Sequence, residues 1–96
     1  METFVVLTKL TAKGKHIVRN NPEEIKISTN AVNRLGGEII TQFALLGPYD
    51  FVTILRAEDE HVVYRLTSEI GSLGTVEMLT MPAITIDSFI NDIKGN

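Results

Sequence analysis

The sequence predicts an α+β domain with element order β-α-β-β-α-β and a helix at the C-terminal end. Three observations lead there. Apolar, β-branched runs recur at residues 4–9, 38–46, 51–56 and 75–81, each of strand length. Helical patterns with recognisable starts and stops separate the first run from the second and the third from the fourth. The middle two runs are divided only by Gly47-Pro48-Tyr49-Asp50, which reads as the tight connection of a β-hairpin.

The first run, residues 4–9, places Phe4, Val6 and Thr8 on one side and Val5, Leu7 and Lys9 on the other. Apolar residues on both sides mark a central strand. Residues 10–21 are polar around Lys15-His16 and contain Gly14, so they read as a long loop with at most a turn of helix near Ile17. Asn21-Pro22-Glu23-Glu24 then opens a helix. Asn caps free N–H groups, Pro suits the first helical position, and the carboxylates oppose the positive end of the dipole. Ile25, Thr29, Val32 and Leu35 recur at helical spacing, and Gly36-Gly37 ends the pattern.

The second strand alternates weakly, with Ile39, Phe43 and Leu45 on one face and Ile40, Ala44 and Leu46 on the other. After the third strand, Glu58, Asp59 and Glu60 open a helix whose Val62, Val63, Leu66 and Ile70 face inward, and Gly71-Ser72-Leu73-Gly74 closes it. Pro82 is expected to stop the fourth strand. The tail is a short amphipathic helix capped by Thr85 or Asp87.

Two split β-α-β units in this order give the ferredoxin-like arrangement, an antiparallel sheet of order 4-1-3-2 with right-handed crossovers. The loop at residues 10–21, the hairpin turn and the 71–74 loop then share one end of the sheet. Both helices cover one sheet face, yet the strands carry apolar residues on both. Eight residues of tail helix are too few to cover four strands. A face-to-face homodimer of the dimeric α/β-barrel kind, or a larger assembly, is expected.

The totals bound the function. Ninety-six residues form one domain, expected over residues 1–96, with 44% hydrophobic and 22% charged residues. A net charge of −3 with only nine Lys and Arg opposes nucleic-acid binding. The absence of cysteine removes thiol catalysis and thiolate metal sites. The N-terminal apolar run is too short for a signal or membrane segment, so the cytoplasm is expected and membrane partners are not.

The candidate residues cluster where the loops meet: Lys9, Thr11, Gly14, Lys15, Gly47, Tyr49, Asp50 and Gly74 for a small ligand, and Tyr49, Asp50 and His16 for catalysis. Two readings are open for the hairpin. In one, Pro48 stiffens the turn, Tyr49 packs and Asp50 bonds loop backbone. In the other, Tyr49 donates a hydrogen bond and Asp50 acts as general base at a pocket mouth. A Lys9–Asp50 ion pair would favour the first. His16 has the intrinsic pKa for proton transfer. His61 belongs at the opposite end of the sheet, and no metal site is expected. The 71–74 loop matches no nucleotide fingerprint. Gln42 and Thr53 either orient a ligand at a dimer interface or pair across strands.

The Gly47/Tyr49/Asp50 turn, with the 11–14 loop, Pro22, Leu35-Gly36-Gly37, Ala57-Glu58-Asp59 and Gly71-Ser72-Leu73-Gly74-Thr75-Val76, resembles the GYD-domain family of small bacterial and archaeal proteins. Glu23 and Glu24 depart from it, standing where a base is expected. The resemblance implies a ferredoxin-like, oligomeric fold and names no activity or cofactor. Three functions follow as expectations: an oligomeric small-ligand-binding or regulatory module, a cofactor-free oxygenase or isomerase using Asp50 or His16 with Tyr49, and a purely structural assembly protein.

Overall fold

The computed structural model describes residues 1–95. Its strands are β1 (Glu2–Leu10), β2 (Glu38–Ala44), β3 (Phe51–Ala57) and β4 (Val76–Ala83). They form one antiparallel sheet of order β2-β3-β1-β4, consistent with the ferredoxin-like plan. The helices are α1 (Ala12–Asn20), α2 (Lys26–Arg34), α3 (Glu60–Gly71) and α4 (Ile86–Lys94), with a 3₁₀ turn at Pro22–Ile25.

The first crossover is where the sequence misleads. The segment after β1 is not a loop but α1. Thr11 caps it, its hydroxyl accepting from the Gly14 N–H at 3.1 Å, and Asn21 closes it by donating its backbone N–H to the Ile17 carbonyl at 2.8 Å. Pro22 does not begin the next helix directly. It starts the 3₁₀ turn, and α2 begins four residues later. The single expected crossover helix is therefore two, joined at a bend.

Gly14 serves contact rather than chain reversal. It is buried in α1, and a Cβ there would lie 2.0 Å from the Thr75 carbonyl oxygen. Only glycine lets α1 come this close to the start of β4.

The helix face of the sheet holds the core. Phe4 and Val6 from β1 and Leu55 and Ala57 from β3 pack against Ala31 and Val32 of α2 and Val62, Val63, Leu66 and Ile70 of α3. Asp59 caps α3, its carboxylate accepting from the His61 and Val62 N–H groups at 2.9 and 3.3 Å. Arg34 of α2 pairs with Glu69 of α3.

Two strand details differ from the sequence reading. A bulge between Ile39 and Thr41 leaves Ile40 unpaired and exposed. The extra residue reverses the alternation beyond it, because side-chain direction has a period of two. Ile39 still sits opposite Leu55, but Phe43 sits opposite Val52 and so leaves the core side. Pro82 lies inside β4, opposite Phe4, instead of ending it. Because β4 is an edge strand, a missing N–H can fall on its unpaired side.

Candidate functional site

The register brings the expected loops together. Thr8 pairs with Phe51 and Leu10 with Val76, so the ends of β1 and α3 and the starts of β3, β4 and α1 share one rim. The hairpin connection runs from Leu45 to Asp50, longer than a four-residue turn, and the Leu45 N–H donates to the Asp50 carbonyl at 2.8 Å. Gly47 has φ +142°, a conformation L side chains rarely adopt.

Asp50 is held on both sides. Its N–H donates to the Thr8 carbonyl at 2.8 Å, and its carboxylate accepts from the Leu10 N–H at 2.7 Å. Leu10 is the last residue of β1, where the ladder to β3 has already run out at Thr8. The carboxylate thus replaces a lost ladder acceptor and ties the hairpin to the central strand. Among the described residues no ion pair joins Asp50 to Lys9.

Thr11, Gly14 and Gly74 also meet. The Thr11 N–H donates to the Thr75 carbonyl at 3.0 Å and its hydroxyl donates to the Gly74 carbonyl at 2.8 Å. Lys13, not among the residues expected at this rim, donates to the Leu73 carbonyl at 3.2 Å. It could have been found only by recognising α1, whose first turn carries it.

The other candidates lie apart from this knot. Lys15 and His16 are exposed on α1, and the Asn20 amide nitrogen lies 3.1 Å from His16 Nε2. Lys9 is exposed, while Tyr49 is half-buried and Gly47 open. His61 stands at the start of α3, edge-on to Tyr64. Gln42 and Thr53 face the helices, not the outer side, and the Gln42 amide donates to the Thr53 hydroxyl at 3.0 Å. Glu23 forms a 2.7 Å pair with Lys26. That hydrogen bond, helped by the opposite charges, lowers the Glu23 pKa and raises that of Lys26.

Among the described residues, no layer lies over the outer face of the sheet. Val5 and Leu7 of β1 pair with Ile54 and Val52 of β3 and with Met81 and Leu79 of β4, all pointing away from the core. Phe43, delivered there by the bulge, is 60% exposed. Beside this body stands α4, capped by the Thr85 hydroxyl and closed by Gly95. Its Ile86, Phe89, Ile90 and Ile93 form one stripe at helical spacing, and all four are exposed. The radius of gyration is 14.6 Å, against about 12.5 Å for a compact chain of this length. Among the described residues no helix is long and apolar enough to cross a membrane.

Comparison with known proteins fits this architecture. The GYD domain model matches residues 4–92. A Thermus thermophilus relative, the glutamine synthetase and cystathionine beta-lyase binding protein, is 39% identical over 95 residues, covering 98% of this chain and 100% of its own. TTHA0845, also from Thermus thermophilus, superposes with a TM-score of 0.60 at 24% identity, over 88% of this chain and 95% of that one. MtbAldR superposes with a TM-score of 0.65 at 15% identity over 88% of this chain, which spans about half (52%) of that one. At such identities the two structures speak for the fold alone. The matched GYD model and the full-length relative, laid over a hairpin that carries Gly47, Tyr49 and Asp50, make this chain a member of the GYD-domain family.

Proposed function

We propose that this protein is a regulatory binding module that assembles with itself through the outer sheet face and docks onto metabolic enzymes. The uncovered apolar face carries the reading. Contiguous exposed apolar surface of this kind marks an interaction site. Here it is built from exposed Phe43 and Leu79 and half-buried Val5, Leu7, Val52, Ile54 and Met81, with Phe43 directly opposite Val52. Packing this face on a second copy gives the dimeric α/β-barrel arrangement, in which a two-fold axis brings the same patch of both subunits together. The stripe on α4 supplies a further apolar arm for a partner chain, as an amphipathic helix laid in a groove does.

That the partner is an enzyme is supported by the relative that is 39% identical over nearly the whole chain and bears the name of a binding protein for two enzymes. Catalysis by Asp50 is not favoured, because its carboxylate is already committed to the Leu10 N–H. The test uses glutamine synthetase and cystathionine β-lyase purified from the same cells as this protein. Sedimentation of the mixtures is expected to show a complex with at least one of them, weakened when Ile90 and Ile93 are replaced by Glu. Separate sedimentation of both enzymes at micromolar concentrations would overturn the enzyme-binding reading.

A further inference from the structure

The inner face of the sheet is only partly covered by its helices. At one end, α1 is fixed to β4 by Gly14 against Thr75 and by the Thr11–Thr75 hydrogen bond. At the other, α2 is fixed by buried Val32, whose carbonyl accepts from the Gly37 N–H at 2.8 Å just before β2. Between these ties the chain bends through Asn21 and Pro22, where proline forbids a continuous helix. The bend holds the helix layer off the strands and leaves a cavity of about 270 Å³.

Its walls are mainly apolar. Val6, Leu55 and Val76 line it from the sheet, and Ile17, Ile25 and Ser28 from the helix layer. The sheet wall also carries the Gln42–Thr53 pair, of which Thr53 is buried and Gln42 is exposed to solvent. The Thr53 hydroxyl accepts from Gln42 and keeps its own O–H to donate, while the Gln42 carbonyl oxygen remains an acceptor. Lys13 and Glu24 add one charge of each sign to the wall, and Ser28 and Thr67 add hydroxyls, so the space is mainly hydrocarbon with a few polar groups, the usual make-up of a small-molecule site.

We infer that this cavity binds a small hydrocarbon molecule ending in an oxygen function, a medium-chain alcohol or carboxylic acid, with the oxygen at Thr53 and Gln42. A cavity of about 150 Å³ lined by aliphatic side chains takes up benzene. Scaling by volume, the present space suits roughly eleven non-hydrogen atoms, enough room for 1-octanol or octanoate, which are slightly smaller. The alcohol meets the uncharged Gln42–Thr53 pair directly. The acid has Lys13 on the cavity wall as a cation, opposed by the Glu24 carboxylate on the same wall, and the two probes separate the cases. This inference does not rest on the assembly or enzyme-docking reading, since the cavity lies on the opposite side of the sheet from the outer face.

The test is titration of methyl-labelled protein with 1-octanol and, separately, with octanoate, followed by NMR. Saturable shifts are expected at Leu55, Ile70, Val32 and Val76, with Val5, Leu7, Val52 and Ile54 unmoved. Saturation by either probe supports the site, and the better probe identifies the end group. Ser28→Leu fills the space and is expected to weaken binding at least tenfold while the melting temperature holds or rises. Thr53→Val, of similar shape but without the hydroxyl, is expected to weaken it about tenfold. Shifts confined to the outer-face methyls, no saturable shift with either probe, or an undiminished response in folded Ser28→Leu would each overturn the inference.

Discussion

The carboxylate of Asp50 accepts a hydrogen bond from the backbone N–H of Leu10 at 2.7 Å, across the gap between the hairpin and the end of the central strand. The bond satisfies a part-buried donor that the β1–β3 ladder no longer reaches. Asp50→Ala is expected to lower stability by about 1–3 kcal/mol, the cost of leaving such a donor unpaired. Asp50→Asn keeps an acceptor oxygen and is expected to lose less. Urea denaturation of both variants measures the difference, and equal stability of Asp50→Ala and the parent would remove the structural role.

Gly14 sits in the interior of α1, where alanine would ordinarily stabilise a helix by roughly 1 kcal/mol. The 2.0 Å approach of a Cβ to the Thr75 carbonyl reverses that sign. Gly14→Ala is expected to cost about 1–3 kcal/mol net, as over-packing does. For a chain of this size each kcal/mol moves the melting temperature by roughly 4–8 °C, which calorimetry resolves. A rise in melting temperature would contradict the placement of α1.

Thr11 both caps α1 and donates its hydroxyl to the Gly74 carbonyl. Thr11→Val keeps the shape and removes both bonds. The expected loss, read by urea denaturation, is about 1–2 kcal/mol, at the upper end for a capping residue. Thr11→Ser keeps the oxygen and should recover most of it.

Much of this architecture is legible in the residues. The β-branched runs and the Asp59 cap locate β1, β3 and α3, and strand order follows from the topology. The first crossover was hidden because α1 is mostly polar and carries a glycine that normally argues against helix. Its reason for being there, contact with Thr75, is tertiary. The Ile40 bulge was equally invisible, since nothing local marks one extra residue in an apolar run, and it alone decides that Phe43 leaves the core. Of the site, the meeting of Thr11, Gly14 and Gly74 was readable from loop placement. The cavity was not, because it arises from where two helices are tied rather than from any motif.

Self-assembly through the outer sheet face is the central claim, and Phe43 tests it most directly. The residue is 60% exposed in the single chain, so Phe43→Lys should leave the fold of one subunit intact while placing a charge in the interface. Sedimentation velocity of parent and variant at matched micromolar concentrations is the measurement. The parent is expected to sediment as a dimer or larger species, and the variant as a folded monomer. A monomeric parent, or a variant that assembles as well as the parent, would contradict the account.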